Sequence, residues 1–168
     1  GVILAGGVVK LLPLTEENEF KITPEALLEC ISEKTKAILL NFPNNPTGGV
    51  MSYEDYEKIV PILKDHEIMV LSDEIYADLL YEGKHASLAH FDEIKDQVLI
   101  ISGCSKAFSM TGWRLGYLLG NKDLIKAILK IHQYVIMCAP IMSQYAALEG
   151  FKHGADSVEA MRLAYLGR

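Results

Sequence analysis

The sequence lacks the patterns that identify several large classes of protein. Its cysteines are odd in number and widely spaced, at Cys30, Cys104 and Cys138, which excludes a disulfide framework and a zinc ligand set. The five histidines form no HExxH pattern, and neither GxGxxG nor GxxxxGK[ST] occurs. The sequence therefore lacks the main signals of a zinc metalloenzyme, a Rossmann dehydrogenase and a P-loop enzyme.

Charge and hydropathy exclude further partners. The formal net charge is −6 and there is no basic run, which argues against a nucleic-acid partner. No apolar stretch approaches the length of a membrane span, and residues 1–7 lack the charged start of a signal peptide. We therefore expect a cytoplasmic protein with no membrane or nucleic-acid partner.

Short apolar segments alternate with amphipathic ones along the 168 residues. Apolar runs predict strands, and capping residues followed by a helical period predict helices, as at Thr23 before Pro24, at Ser52 with Asp55, and at Asn121. The predicted strands are 8–14, 35–41, 67–73, 98–102 and 115–119, and the predicted helices are 24–32, 53–66, 122–136, 140–151 and 155–166. This alternation predicts an α/β fold, with three layers and a mostly parallel central sheet.

The strand 98–102 runs into a segment that carries Lys106 and Arg114. Ligands of parallel sheets bind beyond the carboxyl ends of the strands, so both side chains are expected at a site. A desolvated lysine amine can attack an aldehyde to form a Schiff base, and an arginine fork can hold a phosphate. An aldehyde and a phosphate together suggest pyridoxal phosphate.

Polar residues at the two preceding strand ends suit other atoms of the same cofactor. The carboxylate of Asp73 suits the ring nitrogen, which must stay protonated for the ring to accept electrons. The phenol of Tyr76 and the amide of Asn45 suit the phenolate oxygen, and the hydroxyl of Ser105 suits the phosphate beside Arg114. Each residue alone has an ordinary explanation as a turn, cap or loop residue, but their joint position at successive strand ends favours a site.

Three motifs carry a family resemblance. They are NNPTG at residues 44–48, SDEIY at 72–76 and SKAFSMTGWRLGY at 105–117. In this order they resemble the class I/II pyridoxal-phosphate aminotransferases of fold type I, and most closely the aspartate and aromatic branch. The resemblance implies the large cofactor domain of that fold.

The resemblance also implies roles for the residues of these motifs. Lys106 would form the Schiff base and serve as the proton-transfer base, and Asp73 would pair with the ring nitrogen. Asn45 and Tyr76 would contact the phenolate oxygen. The phosphate ligands would be Ser105 and Arg114, with Ser102 as a substitute for Ser105.

Members of that family are considerably longer, so we expect a fragment of the large domain. Residues 1–150 would be a partial cofactor domain, and 151–168 a helical tail leading toward a small domain. The family's phosphate-binding turn is not found in this sequence. The arginine that binds the substrate carboxylate is not found either, because Arg162 and Arg168 do not match the sequence context of that arginine. We expect this chain alone to be inactive.

For the full-length protein, the resemblance implies transamination between an amino acid and a 2-keto acid, in a homodimer. Aspartate, aromatic amino acids and alanine all remain open as substrates. Two alternatives stay open as well. One is a β-lyase or a synthase of the same fold, and the other is a non-catalytic, aminotransferase-like regulatory domain.

Overall fold

In the computed structural model, which describes residues 1–168, four strands form one sheet in chain order. β1 (Ala37–Asn41), β2 (Met69–Asp73) and β3 (Val98–Gly103) are parallel to one another, and β4 (Gly116–Gly120) pairs with β3 in the antiparallel sense. The predicted α/β class with a mostly parallel sheet is confirmed.

Six α-helices accompany the sheet, and five of them lie within a few residues of the predicted bounds. They are α1 (Pro24–Cys30), α2 (Tyr53–Asp65), α3 (Cys104–Ala107), α4 (Lys122–Val135), α5 (Ile141–His153) and α6 (Ala155–Leu166). The one-turn helix α3 is not among the predicted helices. Because α5 continues to His153, the predicted domain limit at residue 150 falls inside this helix, and that division stays a prediction. No helix is long and apolar enough to cross a membrane.

The predicted strand at 8–14 is wrong. These residues are mostly exposed and join no ladder, because no other strand lies beside them to pair with their backbone groups. Contacts to α1 hold the segment instead: the Lys10 ammonium donates to the carbonyl of Glu29 at 2.8 Å, and the Cys30 thiol donates to the carbonyl of Leu11 at 3.5 Å. Of its apolar side chains, Leu12 and Leu14 pack against the main core, whereas Val8 and Leu11 stay exposed.

Three of the helices, α1, α2 and α4, begin at side-chain caps that the sequence predicts. At α2, Ser52 and Asp55 form a capping box, in which each side chain accepts a hydrogen bond from the backbone N–H of the other at 3.0–3.1 Å. Partial burial works to raise the pKa of Asp55, but the hydrogen bonds from Ser52 and the ammonium of Lys21 outweigh it, and the net pKa is lowered. At α1 and α4 the caps are Thr23 and Asn121.

The main core lies between one face of the sheet and α1 and α2. Its fully buried side chains include Leu27, Tyr56, Ile59, Leu63, Val70 and Leu88. The second cluster is small and consists of Cys104, Met110 and Ala147. The main core therefore holds the strand ends rigid from the face of the sheet that α1 and α2 cover.

Helix α4 shows how much apolar surface stays uncovered. None of its residues is buried, and Ile131 and Val135, one helical turn apart on an apolar face, are 68% and 69% exposed. The chain exposes 11322 Å², whereas a globular monomer of 18.6 kDa exposes about 8,200 Å². The apolar face of α4 is thus free to meet another surface.

At the end of β3 two glycines allow an unusually close approach. Gly103 pairs with Gly116 of β4, and a Cβ added at Gly103 would lie 2.9 Å from both the Cα of Gly116 and the carbonyl oxygen of Leu115. Both contacts are to backbone, which cannot move aside cheaply. A side chain at residue 103 is therefore excluded where β3 passes into α3.

Replacing Gly103 by alanine should destabilise the protein by about 1–3 kcal/mol, because the added methyl group overlaps the backbone of β4. Chemical denaturation of the purified protein measures this effect. Gly112→Ala is the matched control, since a Cβ there meets nothing within 4 Å. Equal stability of the two variants would contradict the steric argument.

Candidate active site

The carboxyl ends of β1 and β2 lie level with each other, and β3 continues two residues further, to Gly103. Asn41 of β1 is in register with Asp73 of β2, and Asp73 with Ile101 of β3. The amide of Asn41 also donates to the carbonyl of Asp73 at 3.2 Å. A side-chain hydrogen bond therefore joins the ends of β1 and β2 in addition to the backbone pairing. Polar groups that follow each strand therefore emerge at one edge of the sheet.

The loop after β1 is folded by its own asparagines. The side-chain oxygen of Asn41 accepts from the N–H of Asn45 at 3.3 Å, and that of Asn44 accepts from the hydroxyl of Thr47 at 2.7 Å. This local network presents the amide of Asn45 toward the neighbouring strand end. There it donates to the phenol oxygen of Tyr76 at 3.0 Å.

The turn after β2 carries Asp73 and Tyr76. One carboxylate oxygen of Asp73 accepts from the N–H of Ile75 at 3.1 Å, as in an Asx turn, and the side chain makes no salt bridge. Because Tyr76 accepts its hydrogen bond from Asn45, the phenol keeps its own proton for another acceptor.

Lys106 lies on α3, directly after β3. Its ammonium stands over the ring of Tyr76, 5.4 Å from the centroid, and forms no hydrogen bond or salt bridge within the chain. The side chain is half-buried. The structure therefore presents a lysine amine that is oriented by an aromatic ring and is not tied to a carboxylate.

A crevice of about 1180 Å³ joins these groups. Asn45, Tyr76, Ser105 and Lys106 all line it, as the sequence predicts for residues of one site. The crevice is large enough for a small-molecule cofactor, since such sites commonly measure about 300–1,000 Å³.

Asp73, Arg114 and the substitute Ser102 do not line the crevice. The carboxylate of Asp73 is engaged by its own turn. Arg114 is exposed, has a left-handed backbone with φ of 54°, and donates to the carbonyl of Thr111 at 2.9 Å. Ser102 lies within β3, opposite Tyr117. The roles predicted for these three residues stay predictions.

Sequence reasoning missed other residues of the crevice. Glu19 and Lys21, joined by a salt bridge of 2.7 Å, line it from the segment before α1, and Tyr165 lines it from α6. These residues belong to no motif and are distant in sequence. Only the folded chain brings them to the crevice.

Beneath the site lies a buried polar cluster that the sequence reasoning also missed. The side chain of Glu74 accepts from the hydroxyls of Ser72 and Ser87 at 3.0 and 2.9 Å, and its other oxygen lies 2.7 Å from Nε2 of His85. Glu74 is 5% exposed. Its place within SDEIY, next to Asp73, was the only available signal.

The fold and the crevice define a class: an α/β protein with a ligand site beyond the carboxyl ends of parallel strands and a free lysine within it. The chain belongs to the aminotransferase class I and II family, whose profile matches residues 1–168. This family depends on pyridoxal phosphate.

Individual relatives agree with this assignment. The chain is 47% identical to a putative aminotransferase, YugH, of Bacillus subtilis, and 45% identical to the aspartate aminotransferase of Bacillus sp. strain YM-2. Each match covers 99% of this chain and 43% of the relative. The chain thus spans less than half the length of the curated relatives that it matches.

Solved structures give the same result. The aromatic aminotransferase of Pyrococcus horikoshii OT3 superposes with a TM-score of 0.94 at 36% identity, over 98% of this chain and 45% of that one. The aspartate aminotransferase of Thermus thermophilus with maleate superposes with a TM-score of 0.91 at 38% identity, over 98% and 43%. The predicted aspartate and aromatic branch is confirmed.

Cys104, two residues before Lys106, should not react with thiol reagents in the native protein. It is fully buried, and burial raises the pKa of its thiol, so little reactive thiolate forms. Labelling followed by peptide mass analysis should find Cys104 modified only after denaturation. Prompt modification of native Cys104 would contradict its role as a packing residue.

Proposed function

We propose that the whole protein is a pyridoxal-phosphate-dependent aminotransferase that converts an amino acid into its 2-keto acid, with Lys106 as the Schiff-base lysine. The observation that carries the proposal is the free amine of Lys106, held over Tyr76 in the crevice that Asn45 and Ser105 also line. Membership of the aminotransferase family supports it.

The side chains around the crevice suit this cofactor chemically. They offer an amine for its aldehyde and hydroxyl and amide donors for its oxygens, and Asp73, which does not line the crevice, offers a carboxylate for its ring nitrogen. When bound, the cofactor supplies a ring that accepts electrons from the substrate α-carbon. The remaining steps depend on residues of the protein.

Lys106 has two successive tasks in this proposal. Its amine would hold the cofactor covalently, and, once released, the same nitrogen would take the proton from the substrate α-carbon as the general base. Both tasks need an amine without a fixed partner. The absence of a salt bridge at Lys106 supports this assignment.

Asn45 and Tyr76 act as a pair. The amide of Asn45 occupies a lone pair of the phenol oxygen, which leaves the phenol proton free to donate into the crevice. We assign this proton, together with Asn45, to the negative oxygen of the cofactor ring.

Asp73, Ser105 and Arg114 complete the proposed set. Asp73 forms no ion pair, and only one of its oxygens is engaged by the turn, which leaves the other for the ring nitrogen. Ser105 lines the crevice and Arg114 lies on the same segment, and both are assigned to the phosphate.

The whole protein is proposed to act as a cytoplasmic homodimer. The exposed apolar surface of α4 supports association, and the three free cysteines suit a reducing compartment. The aminotransferases among the relatives favour transamination over elimination. Parallel assays for keto-acid exchange and for pyruvate release distinguish these reactions.

Lys106→Ala should abolish covalent retention of pyridoxal phosphate by the whole protein and lower its transamination rate by at least about 10²-fold, because both the bond and the base are lost. Borohydride reduction and mass analysis should find the cofactor on the peptide that contains Lys106. Lys34→Ala, at an exposed lysine outside the crevice, is the control. Labelling of another lysine would overturn the assignment.

Tyr76→Phe should lower kcat about 10-fold, the effect of one lost hydrogen bond to a charged group. The pH midpoint of the absorbance change of the bound cofactor should rise, because the ring oxygen loses a donor and holds a proton more strongly. Tyr53→Phe, on the outer part of α2, provides a matched loss of hydroxyl. An unchanged midpoint in Tyr76→Phe would exclude the proposed contact.

A further inference from the structure

The end of β2 presents two different faces. Ser72 and Glu74 are buried, at 1% and 5% exposure, whereas Asp73 between them is only half-buried. Side chains alternate across a strand, and the N–H of Glu74 extends the pairing by donating to the carbonyl of Ile101 at 2.9 Å. Glu74 therefore points into the core while its neighbour Asp73 points away from it.

Glu74 ties this strand end to a distant segment. Its partners Ser87 and His85 follow it by 13 and 11 residues, and they flank Ala86 and precede Leu88, both of which are buried in the main core. A strand end joined to the core through three side-chain contacts cannot rotate without breaking them.

Disturbing the polar cluster around Glu74 also costs free energy. A buried carboxylate that loses its donors keeps an uncompensated charge or must take up a proton. The negative charge of Glu74 reaches a neighbouring buried group, since burial and this charge together raise the pKa of Tyr56. The cluster thus has one favoured arrangement, with all three donors on Glu74.

We infer that Glu74 is a positioning residue, which fixes the turn that carries Asp73 and Tyr76 and thereby sets the direction of both side chains. The inference rests on the proposed function, in which these two residues contact the cofactor. Glu74 itself does not line the crevice. Its effect passes through the backbone of the turn, whose Ile75 N–H donates to Asp73.

Amide hydrogen exchange of residues 73–77 in the cofactor-free whole protein tests the inference directly. Glu74→Ala should exchange about 10-fold faster there, the factor expected for loss of a hydrogen bond such as that between Ile75 and Asp73. Leu27→Ala is the control, because Leu27 is fully buried in α1 and its loss destabilises the core away from the turn. Equal exchange of the segment in both variants would overturn the inference.

Activity provides the second measurement, at a temperature where both variants remain folded. Glu74→Ala should lower kcat about 10²-fold, the effect of a displacement near 1 Å at a reacting group, with a smaller change in KM. Glu74→Gln should restore both exchange and kcat to within a few-fold, because an amide keeps an acceptor for the serines and a polar group facing His85. If kcat falls no more in Glu74→Ala than in Leu27→Ala, Glu74 contributes to stability alone and the positioning role is wrong.

Different results would contradict the proposed function and the positioning role of Glu74. If the wild-type protein retains no pyridoxal phosphate and exchanges no keto acid, the proposed function is wrong, whereas the hydrogen exchange of residues 73–77 still decides whether Glu74 fixes the turn. If the wild-type protein is active and Glu74→Ala keeps both wild-type exchange and wild-type kcat, the positioning inference alone is wrong.

Discussion

The level register of β1, β2 and β3 is the constraint on which the candidate site depends. Asn41, Asp73 and Ile101 lie in one row, so the three segments that follow them leave the sheet at the same edge. A shift of one strand by one residue would turn its side chains to the other face. The hydrogen bond between Asn45 and Tyr76, which spans 31 residues of sequence, exists only because the strands end together.

The position of Lys106 depends on a second constraint, at the junction of β3 and α3. Gly103 lets β4 approach within backbone contact, and the chain turns into α3 immediately afterward. Lys106 thus stands on a helical turn that follows the sheet directly and is anchored by its own buried residue Cys104, which packs with Met110 and Ala147. This support explains how a lysine can be oriented without a salt bridge. Its amine keeps the freedom that covalent chemistry requires.

Much of the fold could be predicted from local signals. The capping box of Ser52 and Asp55, the proline after Thr23 and the apolar runs of the strands each act over a few residues, and each predicted its element. The segment 8–14 has a similar apolar composition, but a strand requires a neighbour to pair with, and no local signal reports on its presence. Likewise, the motifs located Asn45, Tyr76, Ser105 and Lys106, whereas Glu19 and Tyr165 reach the crevice through tertiary packing alone.

The SDEIY segment shows why a motif can hold more than the residues that touch a ligand. Asp73 and Tyr76 are separated by two residues; Tyr76 lines the crevice and Asp73 points away from the core, while Glu74 faces the core. A turn that carries two groups proposed to contact a cofactor gains precision if the residue between them is fixed, and a buried carboxylate with three partners fixes it more firmly than an apolar side chain could. An apolar residue can shift within its pocket at small cost, but a carboxylate loses its donors when it moves. The side chain that faces away from the site can thus govern the geometry of the two that face it.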